Sequence, residues 1–118
     1  MNIGTDIIQI KRIKMIEKKY DLQFKQKFLS TSEINLVKKI ETLAGFWAAK
    51  EAISKALGCG ISSELSFHDI SLYKNNKGAP SFLLSQKAQQ IHKVKSSSLS
   101  ISHDGGFAIA VVAIIQSN

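Results

Sequence analysis

The sequence predicts an α+β domain, an antiparallel sheet packed with helices, and three observations carry that prediction. Residues 2–10 are rich in isoleucine and too short and capless for a helix, so they read as a strand. Residues 107–115 are nine apolar residues in a row, rich in β-branched types, and read as a second strand buried on both faces. Between these ends lie a helical block and a hairpin signal. The 118 residues suit a single domain, 1–118. A chain of this size builds a real core but leaves little room for a deep cleft of its own.

Each element has its own signature. In the 2–10 strand, alternation places Gly4, Asp6, Ile8 and Ile10 on one face. From about Lys11 to Ile40 the spacing turns helical, with Ile13, Ile16 and Tyr20, then Phe24 and Phe28, three or four residues apart. Ser30 followed three residues later by Glu33 is a capping box that starts a new helix, whose apolar side is Ile34, Val37 and Ile40. Residues 43–57, rich in Ala, Leu, Lys and Glu, form the strongest helix in the chain. Gly58 stands where a left-handed cap would end it. Residues 70–73 and 81–84 read as strands around the turn Asn75-Asn76-Lys77-Gly78. A short helix is expected over 85–92 and a strand over 98–102, followed by the turn His103-Asp104-Gly105-Gly106.

Composition excludes several classes. No apolar run approaches the roughly 20 residues needed to cross a bilayer, and the N-terminus lacks the secretory pattern, so a cytoplasmic protein without membrane contact is expected. Cys59 is the only cysteine, which fits a reducing compartment, and nothing in the sequence activates it as a nucleophile. No Walker loop, dinucleotide fingerprint or zinc-ligand spacing occurs. The net charge is +7, and residues 11–28 hold seven basic against two acidic side chains. Such a patch attracts an acidic partner, and composition does not choose among nucleic acid, membrane surface, polyphosphate and acidic protein. No aromatic platform is interleaved with the charges, so a base-reading module is not indicated.

Four features could carry chemistry. Glu51 and Lys55 lie one turn apart on the strongest helix; they form either an ordinary surface ion pair or a carboxylate for a cation beside an ammonium for a phosphate. The alanines at 44, 48, 49, 52 and 56 let another segment or a ligand approach that helix closely. Asp6 sits in an apolar strand, where a buried carboxylate must be paired or bound to metal; a strand-end aspartate in water is the plainer alternative. Ser100-Ile101-Ser102-His103 could bind phosphate, or His103 could be a solvated turn residue. The basic 11–28 stretch is either a docking surface or a solvated helix face. His68 and His92 read as structural.

Taken together, these features resemble a known family. Ile3-Gly4-Thr5-Asp6-Ile7 with Arg12 following, Phe46-Trp47-Ala48-Ala49-Lys50-Glu51-Ala52-Ile53-Ser54-Lys55-Ala56-Leu57-Gly58, and Ser100-Ile101-Ser102-His103 are similar to the holo-acyl-carrier-protein synthases, the small phosphopantetheinyl transferases. Leu65 to Ile70 and Gly78-Ala79-Pro80 also fit, and the middle block is the most specific. The resemblance implies a magnesium-dependent transferase (manganese being the alternative ion) that moves phosphopantetheine from coenzyme A to a serine of acyl carrier protein. It implies that Asp6 and Glu51 hold the metal, that Lys55 contacts the phosphates, and that these three carry catalysis. It places Trp47, Gly58, Gly60, Pro80 and His103 near coenzyme A, and a basic helix with Lys11, Arg12 and Lys19 against the acidic helix of the carrier. It also implies a homotrimer with coenzyme A between protomers.

The chain departs from that pattern at Phe46, where the family often has an arginine, and at Trp47, which replaces a phenylalanine. Lys50 is the candidate to take over the missing arginine's phosphate contact. Two other readings compete: a basic nucleic-acid-binding domain, resting on charge alone, and a subunit that binds the carrier without catalysis.

Overall fold

A computed structural model describes all 118 residues. Strand β1 (Asn2–Gln9) leads into helices α1 (Ile10–Tyr20), α2 (Leu22–Phe28), α3 (Thr31–Leu36) and α4 (Ile40–Ala56). A 3₁₀ turn (Phe67–Asp69) opens the hairpin β2 (Ile70–Lys74) and β3 (Pro80–Leu84). Helix α5 (Gln86–His92), β4 (Val94–Asp104) and β5 (Phe107–Gln116) complete the chain. The strands form two antiparallel sheets, one in the order β1-β5-β4 and one of β2 and β3. The α+β expectation is met in a single domain.

Helix α4 packs on the three-stranded sheet because both surfaces are made of small residues. Ala48, Ala49, Ala52 and Ala56 of α4 and Ala108 and Ala110 of β5 are buried. Gly4 of β1 comes closest: a Cβ there would lie 1.9 Å from the carbonyl oxygen of Ala52. No other residue fits, since real side-chain contacts never reach that distance. The core continues through Phe28, Leu43, Leu65 and Ile70 beneath the hairpin.

The capping box at α3 is present, with Ser30 N–H donating to Glu33 Oε1 (2.7 Å) and Glu33 N–H to Ser30 Oγ (3.4 Å). Three expectations need correction. The 11–40 helical pattern is three helices, because Asp21 takes φ 47° and ends α1, and Leu29 and Val37 are extended. The 98–102 strand runs from 94 to 104; its serine-rich start hid the pairing of Ser96, Ser97 and Ser98 with β5. Ile10 opens α1 instead of extending the strand.

The nine-residue apolar run is covered on one face only. Ala108, Ala110, Val112 and Ile114 face α4 and are buried, while Ile109 and Val111 are 40% and 43% exposed. Beside them in β1, Ile3 and Ile7 are 65% and 60% exposed. The helical layer of this chain lies on one side of the sheet, so the alternate residues of β1 and β5 form an uncovered apolar face.

Candidate active site

The close approach at Gly4 aims Asp6, two residues further along the same face of β1, at the last two turns of α4. Those turns carry Glu51 and Lys55 on one side of the helix. Lys55 Nζ donates to Asp6 Oδ1 at 2.9 Å. The ammonium thus pairs across elements with the strand aspartate, and not with Glu51 along its own helix. The plainer readings of both features, a strand-end aspartate and a surface i,i+4 pair, are not what forms.

The Glu51 carboxyl is pushed above the ordinary carboxylate range, first by partial burial and then by the negative charge of Asp6, with Lys55 pulling the other way. Two carboxylates thus lie near enough to feel each other's charge, with the Lys55 ammonium bonded to Asp6. The donors are all oxygen, and the local charge is short of one positive group. That set fits a hard divalent cation, which takes carboxylate oxygens and keeps waters.

A second group of predicted residues lies apart. Pro80 and His103 line a pocket of about 170 Å³ together with Phe46, Tyr73, Lys74 and Ile101, and none of Asp6, Glu51 and Lys55 belongs to it. Strand alternation splits the expected serine–histidine cluster: Ile101 and His103 face the pocket, while Ser100 and Ser102 stand on the opposite, uncovered side. Lys74, exposed at the end of β2, was not singled out by the sequence, because a lysine at a strand end carries no pattern.

Lys50 is the clearest correction. Its side chain is fully buried, and its Nζ donates to Phe28 O (2.6 Å), Glu33 Oε1 (3.0 Å) and Phe67 O (3.0 Å). All three ammonium donors are satisfied inside the protein, so Lys50 is no phosphate ligand. Burial lowers its pKa, and Glu33 opposes that shift. Trp47 is also occupied by packing. Its ring lies 5.1 Å from Phe28, 5.1 Å from Phe67 and 6.0 Å from Phe24, centroid to centroid. Gly58 and Gly60 take φ 80° and 64° and turn the chain away from the end of α4.

On α1, Lys11, Arg12, Lys14, Lys18 and Lys19 are exposed and have no acidic side chain within ion-pair distance, whereas Lys25 of α2 is taken by Glu17 (3.2 Å) and Asp21 (3.7 Å). Met15 and Tyr20 are exposed among these charges. His68 is structural, bonded through Nε2 to Gln26 O at 2.9 Å. The Cys59 thiol is pushed up by burial and by Glu64, the opposite of nucleophile activation.

The family model described as "4'-phosphopantetheinyl transferase superfamily" matches residues 2–112. A holo-[acyl-carrier-protein] synthase from Sulfurovum sp. is 59% identical over 114 residues, covering 97% of this chain and 96% of the relative. The crystal structure of the Helicobacter pylori holo-[acyl-carrier-protein] synthase in complex with coenzyme A superposes with a TM-score of 0.92 at 49% identity, covering 96% of this chain and 99% of that one. The Bacillus anthracis synthase, in complex with CoA (3',5'-ADP), gives a TM-score of 0.82 at 37% identity, covering 98% and 96%. The chain belongs to the 4'-phosphopantetheinyl transferase superfamily and, within it, to the holo-[acyl-carrier-protein] synthases. No helix of the structure is long and apolar enough to cross a membrane.

Proposed function

We propose that the protein transfers the 4′-phosphopantetheine group of coenzyme A to a serine of apo acyl carrier protein, releasing adenosine 3′,5′-bisphosphate. The observation that carries this reading is the convergence of Asp6, Glu51 and Lys55 from two elements onto one spot. The reaction joins the serine oxygen to the β-phosphorus of coenzyme A and breaks that phosphorus's bond to the bridging oxygen, which leaves with the bisphosphate. Such a transfer needs positioning and charge neutralisation above all.

Asp6 and Glu51 would hold magnesium, or manganese in its place, and the ion when bound supplies positive charge to the pyrophosphate. Lys55 reaches Asp6 on a side chain that is 54% exposed, which leaves it free to swing onto a phosphate oxygen of the departing bisphosphate. The serine proton leaves to Glu51, whose raised pKa suits an acceptor, or to a water beside it. Lys74 and His103 supply the basic groups of the pocket that would hold the rest of coenzyme A, beside Glu41 and Thr42, with Pro80 and Phe46 in its apolar wall.

The uncovered face of β1 and β5 supports a homotrimer. In that assembly the pocket of one protomer would complete the Asp6–Glu51–Lys55 group of its neighbour, which accounts for the two groups being apart on one chain. The unpaired cations of α1, Lys11, Arg12 and Lys19 among them, would dock the acidic helix of the carrier, with Met15 at their centre. The surface is thus assigned to a protein partner and not to nucleic acid. A cytoplasmic role in fatty acid biosynthesis follows from that acceptor.

Intact-mass spectrometry of apo acyl carrier protein incubated with the enzyme, coenzyme A and magnesium tests the proposal. The carrier is expected to gain one phosphopantetheine, and a chelator is expected to stop the gain. An unmodified carrier in the presence of folded enzyme would overturn it.

A further inference from the structure

Away from the proposed active site, the loop between α4 and the 3₁₀ turn meets the C-terminal end of α5. There Cys59 and Glu64 from the loop and His92, the last residue of α5, come together: one ligand atom from each lies within 4.8 Å of the other two. His92 is 6% exposed, and its Nε2 is buried with no hydrogen-bond partner. Buried ring nitrogens are normally bonded, so an orphan on a ring grouped with a thiol and a carboxylate points to something that binds all three.

Both halves of the cluster are held in place. Gly60 N–H donates to Ser54 O (3.2 Å), and Ser62 and Leu65 exchange backbone hydrogen bonds at 2.9 and 3.2 Å. Leu65 is fully buried, and Lys87 of α5 donates to Ser63 O at 3.2 Å, tying the loop to the helix. Cys59 Sγ makes a long contact, 4.0 Å from Ser54 O.

We infer that Cys59, Glu64 and His92 form a second metal site, one for a zinc-class divalent cation with water at the fourth position. Sulfur, imidazole nitrogen and carboxylate oxygen are the donors of a borderline-soft ion, whereas the all-oxygen Asp6–Glu51 pair suits a hard one. Ligand atoms around a tetrahedral zinc lie roughly 3.3–3.8 Å apart, so the three side chains need to draw in by about 1 Å. Glu64 is exposed and opens the site to solvent for entry of the ion. The bound ion would staple the loop that follows Glu51 and Lys55 to α5. The inference does not depend on the proposed transferase activity.

Cobalt(II) is the probe. The full-length, reduced protein is titrated with Co²⁺ while excess Mg²⁺ fills the oxygen site. A thiolate-to-cobalt absorption band is expected, saturating at one equivalent per chain and displaced by Zn²⁺; as Cys59 is the only cysteine, the band reports this site alone. Cys59→Ser is expected to abolish it. Glu64→Gln, at an exposed position, and His92→Gln are each expected to weaken cobalt binding at least about tenfold, and Asp6→Ala to leave the band in place. Folded wild-type protein without the band would overturn the inference, as would unchanged affinity in Glu64→Gln, which decides the matter if His92→Gln does not fold.

Discussion

At the scale of single residues, adjacent positions on α4 have opposite fates. Glu51 and Lys55 face the Asp6 site, and Lys50 points into the core. Asp6→Ala, Glu51→Ala and Lys55→Ala are each expected to lower transfer at least about 100-fold, read by carrier mass gain, with circular dichroism and melting little changed. Little stability is at stake there, since a half-exposed ion pair contributes only about 0–1 kcal/mol. Lys50→Ala is expected to do the reverse. It leaves the Glu33 carboxylate buried and unpaired, a loss of about 3–5 kcal/mol measurable by denaturant unfolding. Asp6, Glu51 and Lys55 were legible from alternation, helical spacing and the resemblance. Lys50 was not, because one residue of helix turns a side chain by about 100°, and the letters around it do not say which side meets water. His92 was equally illegible, since Cys59, Glu64 and His92 meet only through the fold.

At the scale of elements, the contact of β1 with α4 sets the site. Gly4→Ala would drive a methyl group into the Ala52 carbonyl and push the strand off the helix. The expected cost is about 1–3 kcal/mol, with a fall in activity as Asp6 is displaced, checked by paired unfolding and turnover measurements. A second junction joins the 3₁₀ turn to α5. Asp69 accepts from Ser85 Oγ (2.7 Å), Ser66 N–H (2.9 Å) and Ser66 Oγ (3.1 Å). The Ser85 bond above all, and then those from Ser66, hold its carboxyl below the usual range. Because the folded pKa lies below the unfolded one, the stabilisation is complete above the unfolded value and is lost as pH falls through the folded value. The stability gap between wild type and Asp69→Asn is therefore expected to shrink when unfolding is measured near pH 3 instead of pH 7. Among the elements, α3 was legible from its capping box and α4 from its composition. The start of β4 was not, because its serines hold their places through pairing with β5 and not through any preference of their own.

At the scale of the whole molecule, the sequence hinted at more than one chain provides. The apolar run 107–115 reads as buried on both faces, and this chain covers one. Ile109→Lys or Val111→Lys is expected to yield monomers in sedimentation and to abolish transfer although Asp6, Glu51 and Lys55 are untouched. Trimers of full activity would refute the proposed shared site. The basic α1 surface acts at longer range. Raising ionic strength from about 0.05 to 0.5 M is expected to raise the KM for the carrier far more than that for coenzyme A. The location of that surface was legible as a run of lysines. The removal of Lys25 from it by Glu17 and Asp21 was not.

The buried lysine has one more consequence, for how the molecule opens. Glu33 accepts from Ser30 N–H, Leu72 N–H and Lys50, and Lys50 donates onward to Phe28 and Phe67. Four points along the chain, from the end of α2 to the middle of β2, thus close on one carboxylate–ammonium pair. None of them can let go without exposing a buried charge, so these segments are expected to unfold as a single cooperative unit. The Leu72 amide, a buried reporter on that pair, is then expected to exchange with solvent deuterium only at the rate of global unfolding, as slowly as the centre of α4.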